Sequence, residues 1–131
     1  MPVVLSFTVE EDGRLPTGDS LARAIEETDA ATDGYPAYYM VNCAHPTHIL
    51  AGLQSDGPWR RRIGGVRANA SPKSHAELNE CTALDEGNPA DFGALHAELR
   101  RQLPALSVIG GCCGTDERHV ELACRAVTHA R

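Results

Sequence analysis

The chain of 131 residues predicts an α/β fold of parallel strands joined by crossover helices. Three observations carry that expectation. Short apolar runs alternate with amphipathic stretches from one end to the other, each run followed by a helix signal. The runs are apolar almost throughout, rather than at every second position, as in strands covered on both faces. No linker, repeat or low-complexity segment divides the chain, and its length is that of one ordinary domain.

The elements follow in order. "VVLSFT", Val3 to Thr8, is rich in β-branched residues and ends at the turn signal "EEDG", so it reads as a buried strand. "TGDSLARAIEETDAA" reads as a helix capped by Asp19 or Ser20, with Leu21, Ala24 and Ile25 on one face, and "DGYP" ends it. Ala37 to Cys43, "AYYMVNC", is a second strand that ends on a cysteine. A helix starts near Pro46 or Thr47 and stops near Gly57. "RRIGGVRANA" is a third strand, weakened by Gly64 and Gly65, and a loop of Asn, Ser and Pro follows it. "NPADFGALHAELRRQL" has Asn88 as cap and Pro89 at the first helical position, with Phe92, Leu95 and Leu99 on one side. "LSVIGG", Leu106 to Gly111, is the fourth strand. The last helix has Thr115 as its expected cap, Asp116 and Glu117 at its positive end, and Val120, Cys124 and Val127 as its apolar stripe.

Composition excludes several classes. Apolar residues make up 42%, enough for a packed core, while the net charge of −6 and few aromatics argue against nucleic acid as the main partner. Arg60, Arg61 and Arg62 form the one basic cluster, and a solvated helix end is the commoner role for such a run than a phosphate contact. No segment has the roughly 20 apolar residues that span a bilayer. "MPVVLSFTVEEDG" turns acidic at once, without the basic start of a signal peptide, so the expected compartment is the cytoplasm.

Reducing surroundings bear on the five cysteines, Cys43, Cys81, Cys112, Cys113 and Cys124. There, cysteines serve as ligands, nucleophiles or core fillers more often than as disulfides. Cys112 and Cys113 are adjacent, with Cα atoms about 3.8 Å apart, too close for an unstrained bond between them. In a parallel sheet all strand C-termini lie along one rim, where ligands bind. Cys43 ends the second strand, Cys112 and Cys113 end the fourth, and Asn69 follows the third. Three thiolates converging there suit zinc, which accepts sulfur at about 2.3 Å and, with three protein ligands, keeps a fourth position open for chemistry. Gly110 and Gly111 allow close backbone approach and unusual dihedrals, so both neighbours can turn toward one ion. Cys81 and Cys124 read as small buried hydrophobes. His45 and His48 offer imidazoles, but at a helix start capping or solvation is the commoner role.

With "VNC" and "IGGCCGT" the sequence resembles the zinc-dependent homocysteine S-methyltransferases, whose signature is Asn-Cys at one barrel strand and Gly-Gly-Cys-Cys at the last. Here these are Asn42-Cys43 and Gly110-Gly111-Cys112-Cys113. "LSFTVEEDGRLPTGDSL" is similar to the family's segment at the fifth strand. "RANA" is similar to its Pro-Asn-Ala-Gly loop after the seventh, with Ala68 for proline and Ser71 for glycine, and Met40-Val41 stands where Gly-Val is usual. The resemblance implies a (β/α)8 barrel, which needs about 250 residues. A chain of 131 residues then holds about four parallel β/α units, strands five to eight, the C-terminal half of a TIM barrel over residues 1–131. The family's homocysteine-binding acidic residues belong to the other half.

The resemblance further implies Zn2+ on Cys43, Cys112 and Cys113, and homocysteine thiolate attacking the methyl group of a sulfonium, ammonium or folate donor to give methionine. It also makes Asn69 a candidate for contact with substrate or with the ligands. Two other functions stay open: a non-catalytic zinc-binding fragment or subunit, and a thiol-redox protein using Cys112 and Cys113. A half barrel exposes two strand edges and its interior face, so association is expected, either as a homodimer or with a complementary N-terminal-half chain. Methyl transfer by this chain alone is expected to be weak or absent.

Overall fold

The structure, a computed structural model, describes residues 1–80 and 85–129. It contains strands β1 (Val4–Phe7), β2 (Tyr38–Asn42), β3 (Ile63–Ala68) and β4 (Val108–Gly111), and helices α1 (Leu21–Thr32), α2 (Pro46–Ala51), α3 (His75–Glu80), α4 (Pro89–Gln102) and α5 (Glu117–His129). A short 3-10 turn, Pro58–Arg62, leads into β3.

All four strands are parallel and pair in chain order, β1-β2-β3-β4. Phe7, Val41, Val66 and Ile109 are successive partners across the sheet. They join one core with Leu21 and Ile25 of α1, Ile49 of α2, Phe92 and Leu99 of α4, and Ala123 of α5. Helices α1, α2, α4 and α5 therefore cover one face. A sheet that adds strands in one direction through right-handed crossovers puts every helix on the same side, whereas a doubly wound sheet reverses order and uses both. The arrangement is compatible with half of a barrel.

The opposite face carries Val4, Ser6, Tyr38, Met40, Asn42, Gly65, Arg67, Val108 and Gly110. Large side chains there lie sideways over glycines. A Cβ on Gly64 would stand 2.7 Å from the Tyr38 ring, and one on Gly65 2.8 Å from the Met40 methyl. Between Tyr39 and Met40 the register slips by one residue of β3, which inserts Gly64 as a bulge.

Several expectations change here. The first strand is not buried within the described residues: Val4, on the open face, is 40% exposed, and Leu5, on the helix side of this edge strand, is 37% exposed. The third helix, α3, lies in the segment read as loop; it has no buried residue and so no apolar stripe to announce it. α2 stops at Gly52, well before Gly57, and the chain then turns through Pro58–Arg62. Ser20, not Asp19, caps α1 by accepting the N–H of Arg23, and Asn88 caps α4 as expected.

α5 begins one residue later than a Thr115 cap requires. Asp116 Oδ1 accepts the N–H of Arg118 at 2.9 Å, while Thr115 Oγ1 donates to the Cys112 carbonyl at 2.7 Å. The buried stripe of α5 runs through His119 and Ala123, so Cys124, one residue further round, is exposed rather than buried. Cys81 lies outside the described residues. Arg62 is not a solvated end either. Its Nε and Nη2 bind the Asp29 carboxylate at 2.9 and 3.0 Å, and it also donates to the carbonyls of Pro36 and Ala37.

Candidate metal centre

The C-terminal ends of all four strands meet at one rim, and backbone hydrogen bonds fix the residues that leave them. The N–H of Cys43 donates to Arg67 O at 2.9 Å, and the N–H of Cys112 to Ala68 O at 2.9 Å. The Asn69 N–H donates to Ala44 O at 2.9 Å, which ties the loop after β3 to that after β2. Cys43 itself has φ of +53°, a left-handed conformation that is costly for a residue with a Cβ. Its carbonyl accepts the Thr8 hydroxyl at 3.4 Å and His75 Nε2–H at 2.6 Å.

Cys43 and Cys112 lie 69 residues apart in sequence, yet their Cα atoms are 5.6 Å apart and their sulfurs are joined as a disulfide. The expectation had both as free thiolates; in this structure they are paired, since both side chains aim at one point. Cys113 is free and exposed. Among the described residues, no three His, Cys, Asp or Glu side chains stand together as open metal ligands.

Asn69 is 2% exposed, and its Oδ1 accepts the N–H of Cys113 at 3.1 Å. The Cys113 carbonyl in turn accepts the Ala70 N–H at 3.0 Å. The asparagine thus clamps the cysteine loop onto the end of β3. The two glycines before the cysteines serve by close approach alone: a Cβ on Gly111 would stand 2.8 Å from Thr115 Cβ, and neither Gly110 nor Gly111 has positive φ. The left-handed glycine is Gly114, φ +78°, just past the pair.

A cavity of about 310 Å³ opens at this rim, lined by Thr8, Asn42, Cys43, Asn69, His75, Leu78, Asn79 and Cys113. A wider groove of about 790 Å³ lies between Pro58–Arg62 and the end of α4, but no nucleophile or ligand converges on it. His75 was not singled out by sequence reasoning. It bridges the Cys43 carbonyl and Glu10, whose Oε2 is 3.6 Å from its Nδ1. The missed signal was a lone histidine three residues beyond a proline, too weak to read without α3. His45 caps α2 by accepting the Thr47 N–H at 3.3 Å, and burial pushes its pKa down to about 4. His48 is lowered too, chiefly by burial. Neither belongs to the cysteine cluster.

A family model described as homocysteine S-methyltransferase matches residues 1–127. The chain belongs to the homocysteine S-methyltransferase family. Membership directs the reading of the rim toward methyl transfer, as the Asn42-Cys43 and Gly110-to-Cys113 segments implied. No curated protein and no solved structure matches the chain. Among the described residues no helix is long and apolar enough to cross a membrane.

Proposed function

We propose that residues 1–131 form the metal-binding, C-terminal half of a methyltransferase barrel, strands five to eight, that activates homocysteine for methylation. The reading rests most on one observation: Cys43 and Cys112, far apart in sequence, bring their sulfurs to one point, and Cys113 is the next residue in the chain. Two sulfurs with a common target either bond to each other or share an ion. The reduced donor set fits zinc, which is soft enough for thiolates and takes them from strand ends without a rigid angular demand.

When bound, zinc supplies Lewis acidity that lowers the pKa of a substrate thiol and keeps it a thiolate near neutral pH. The protein's part is positioning. Asn69 holds the Cys113 backbone, His75 and Thr8 hold the Cys43 carbonyl, and the 310 Å³ cavity accommodates a small amino acid. The methyl donor is a sulfonium, an ammonium or a methylated folate. Cytoplasmic location, a reducing setting, keeps the cysteines as thiolates. The other barrel half comes from a second copy or from a complementary N-terminal-half chain.

The competing reading is a thiol-redox protein; the sequence points to Cys112 and Cys113 for it, whereas the disulfide joins Cys43 to Cys112, which makes that pair the redox couple of this reading. Calorimetry separates the two. The reduced, zinc-loaded chain is titrated with homocysteine in buffers of different ionisation enthalpy. Methyl-transfer chemistry predicts release of about one proton per homocysteine and none with methionine. Binding without proton release, or a redox couple that turns over identically with and without zinc, contradicts the proposal.

A further inference from the structure

We propose that Arg67 is the specificity residue of this site and takes the carboxylate of the incoming amino-acid thiol. The inference rests on homocysteine being the substrate. Arg67 stands on the open face of β3, paired with Asn42 on one side and Gly110 on the other, at the last level before the strands end. Its carbonyl accepts the Cys43 N–H, and its Nη2 donates to Gly111 O at 3.3 Å, next to Cys112. β3 runs between the two cysteine-bearing strands, and the guanidinium reaches over the end of β4, next to Cys112. Gly110 gives it close room: a Cβ there would stand 3.2 Å from Arg67 Cγ, and the side chain would have to shift by a few tenths of an ångström.

Charge singles Arg67 out. Every other residue on the open face is apolar or neutral. The side chain is exposed, and among the described residues no carboxylate pairs with it; one bond to a carbonyl leaves most of its donors free. Arg62, at the other end of the sheet, shows what a structural arginine does in this protein, since two of its nitrogens are spent on Asp29. A guanidinium with spare, forked donors suits a planar carboxylate. It stands where an amino acid held by its sulfur at the cysteines would present one.

The test compares two thiols that differ by that group, L-homocysteine and 3-aminopropane-1-thiol. The reduced, cobalt-loaded chain is titrated with each, and sulfur ligation is read from the charge-transfer bands. The native chain should bind homocysteine about tenfold or more tighter, as expected of a charge-assisted bond. Arg67→Ala should lose that preference without weakening the aminothiol or changing metal content, and Arg67→Lys should keep part of it. An unchanged preference in Arg67→Ala, or equal weakening of both thiols, overturns the assignment and leaves Arg67 to pair with a protein carboxylate. If the native chain ligates neither thiol, the methyl-transfer reading falls and this inference with it.

Discussion

Buried Asn69 spends its side-chain carbonyl on the N–H of exposed Cys113. Asn69→Ala removes the acceptor of this part-buried hydrogen bond, at a cost of about 1 kcal/mol. Urea denaturation should show that loss. Metal competition should show weaker zinc binding although no ligand has been removed; unchanged zinc affinity would mean that the clamp does not position Cys113. His96 poses a different residue-scale test. Its ring is fully buried, one nitrogen donates to the Phe92 carbonyl at 2.7 Å, and the other has no partner among the described residues. Burial pushes its pKa down. A depressed folded-state pKa means that the neutral ring is the stable form. Its contribution is complete above the unfolded value of about 6.5 and is lost as pH falls below it. His45 and His48 act in the same direction. The Tm should therefore drop between pH 7.5 and pH 5, and His96→Leu should reduce that drop; an equal or larger drop in the variant would assign the slope elsewhere.

The α4–α5 pair gives an element-scale prediction whose sign opposes helix propensity. Alanine is a better helix former than glycine by about 1 kcal/mol. A Cβ on Gly93, however, would stand 2.9 Å from Leu122 Cβ and 3.0 Å from the Leu122 carbonyl carbon and oxygen, which cannot swing aside. Gly93→Ala should destabilise by about 1–3 kcal/mol in chemical denaturation, and a stabilised variant would contradict the packing described. The same pair explains what could be read in the sequence and what could not. Strands and caps were legible where local chemistry decides: the apolar run of β2, Ser20 before α1, Asn88 and Pro89 before α4. The phase of α5 was not, because a histidine occupies a core position. His119 packs edge-on to Phe92 with ring centroids 5.3 Å apart and satisfies both nitrogens, one from the Asp116 N–H and one on Glu86 O. Reading it as polar turned the stripe by one residue and put Cys124 inside. α3 has no buried residue and so left no periodicity. At the rim, the three cysteines and Asn69 were legible because parallel strands end together. The places of Arg67 and His75 were not, because they depend on which face and which turn carries them.

Across the described residues, the sheet has two edges, β1 and β4, and one face against which none of α1, α2, α4 and α5 packs. Val4 and Val108 on that face are 40% and 38% exposed, and Tyr38 and Met40 between them are half-buried. An apolar face of this kind, bounded by strand edges that carry no proline or charge, favours association. Light scattering at micromolar concentration should find a particle larger than one chain, either two copies or a complex with four further β/α units; a stable monomer with a cooperative melt would contradict this. The central claim is that the fold brings Cys43, Cys112 and Cys113 to one zinc ion. Zinc content measures it most directly, because strand ends 69 residues apart form one site only in the folded sheet. The chain purified under reduction and without chelator should carry one zinc, lost in Cys43→Ser, Cys112→Ser and Cys113→Ser and kept in Cys124→Ser. Full zinc retention in the Cys112→Ser and Cys113→Ser variants would contradict the account.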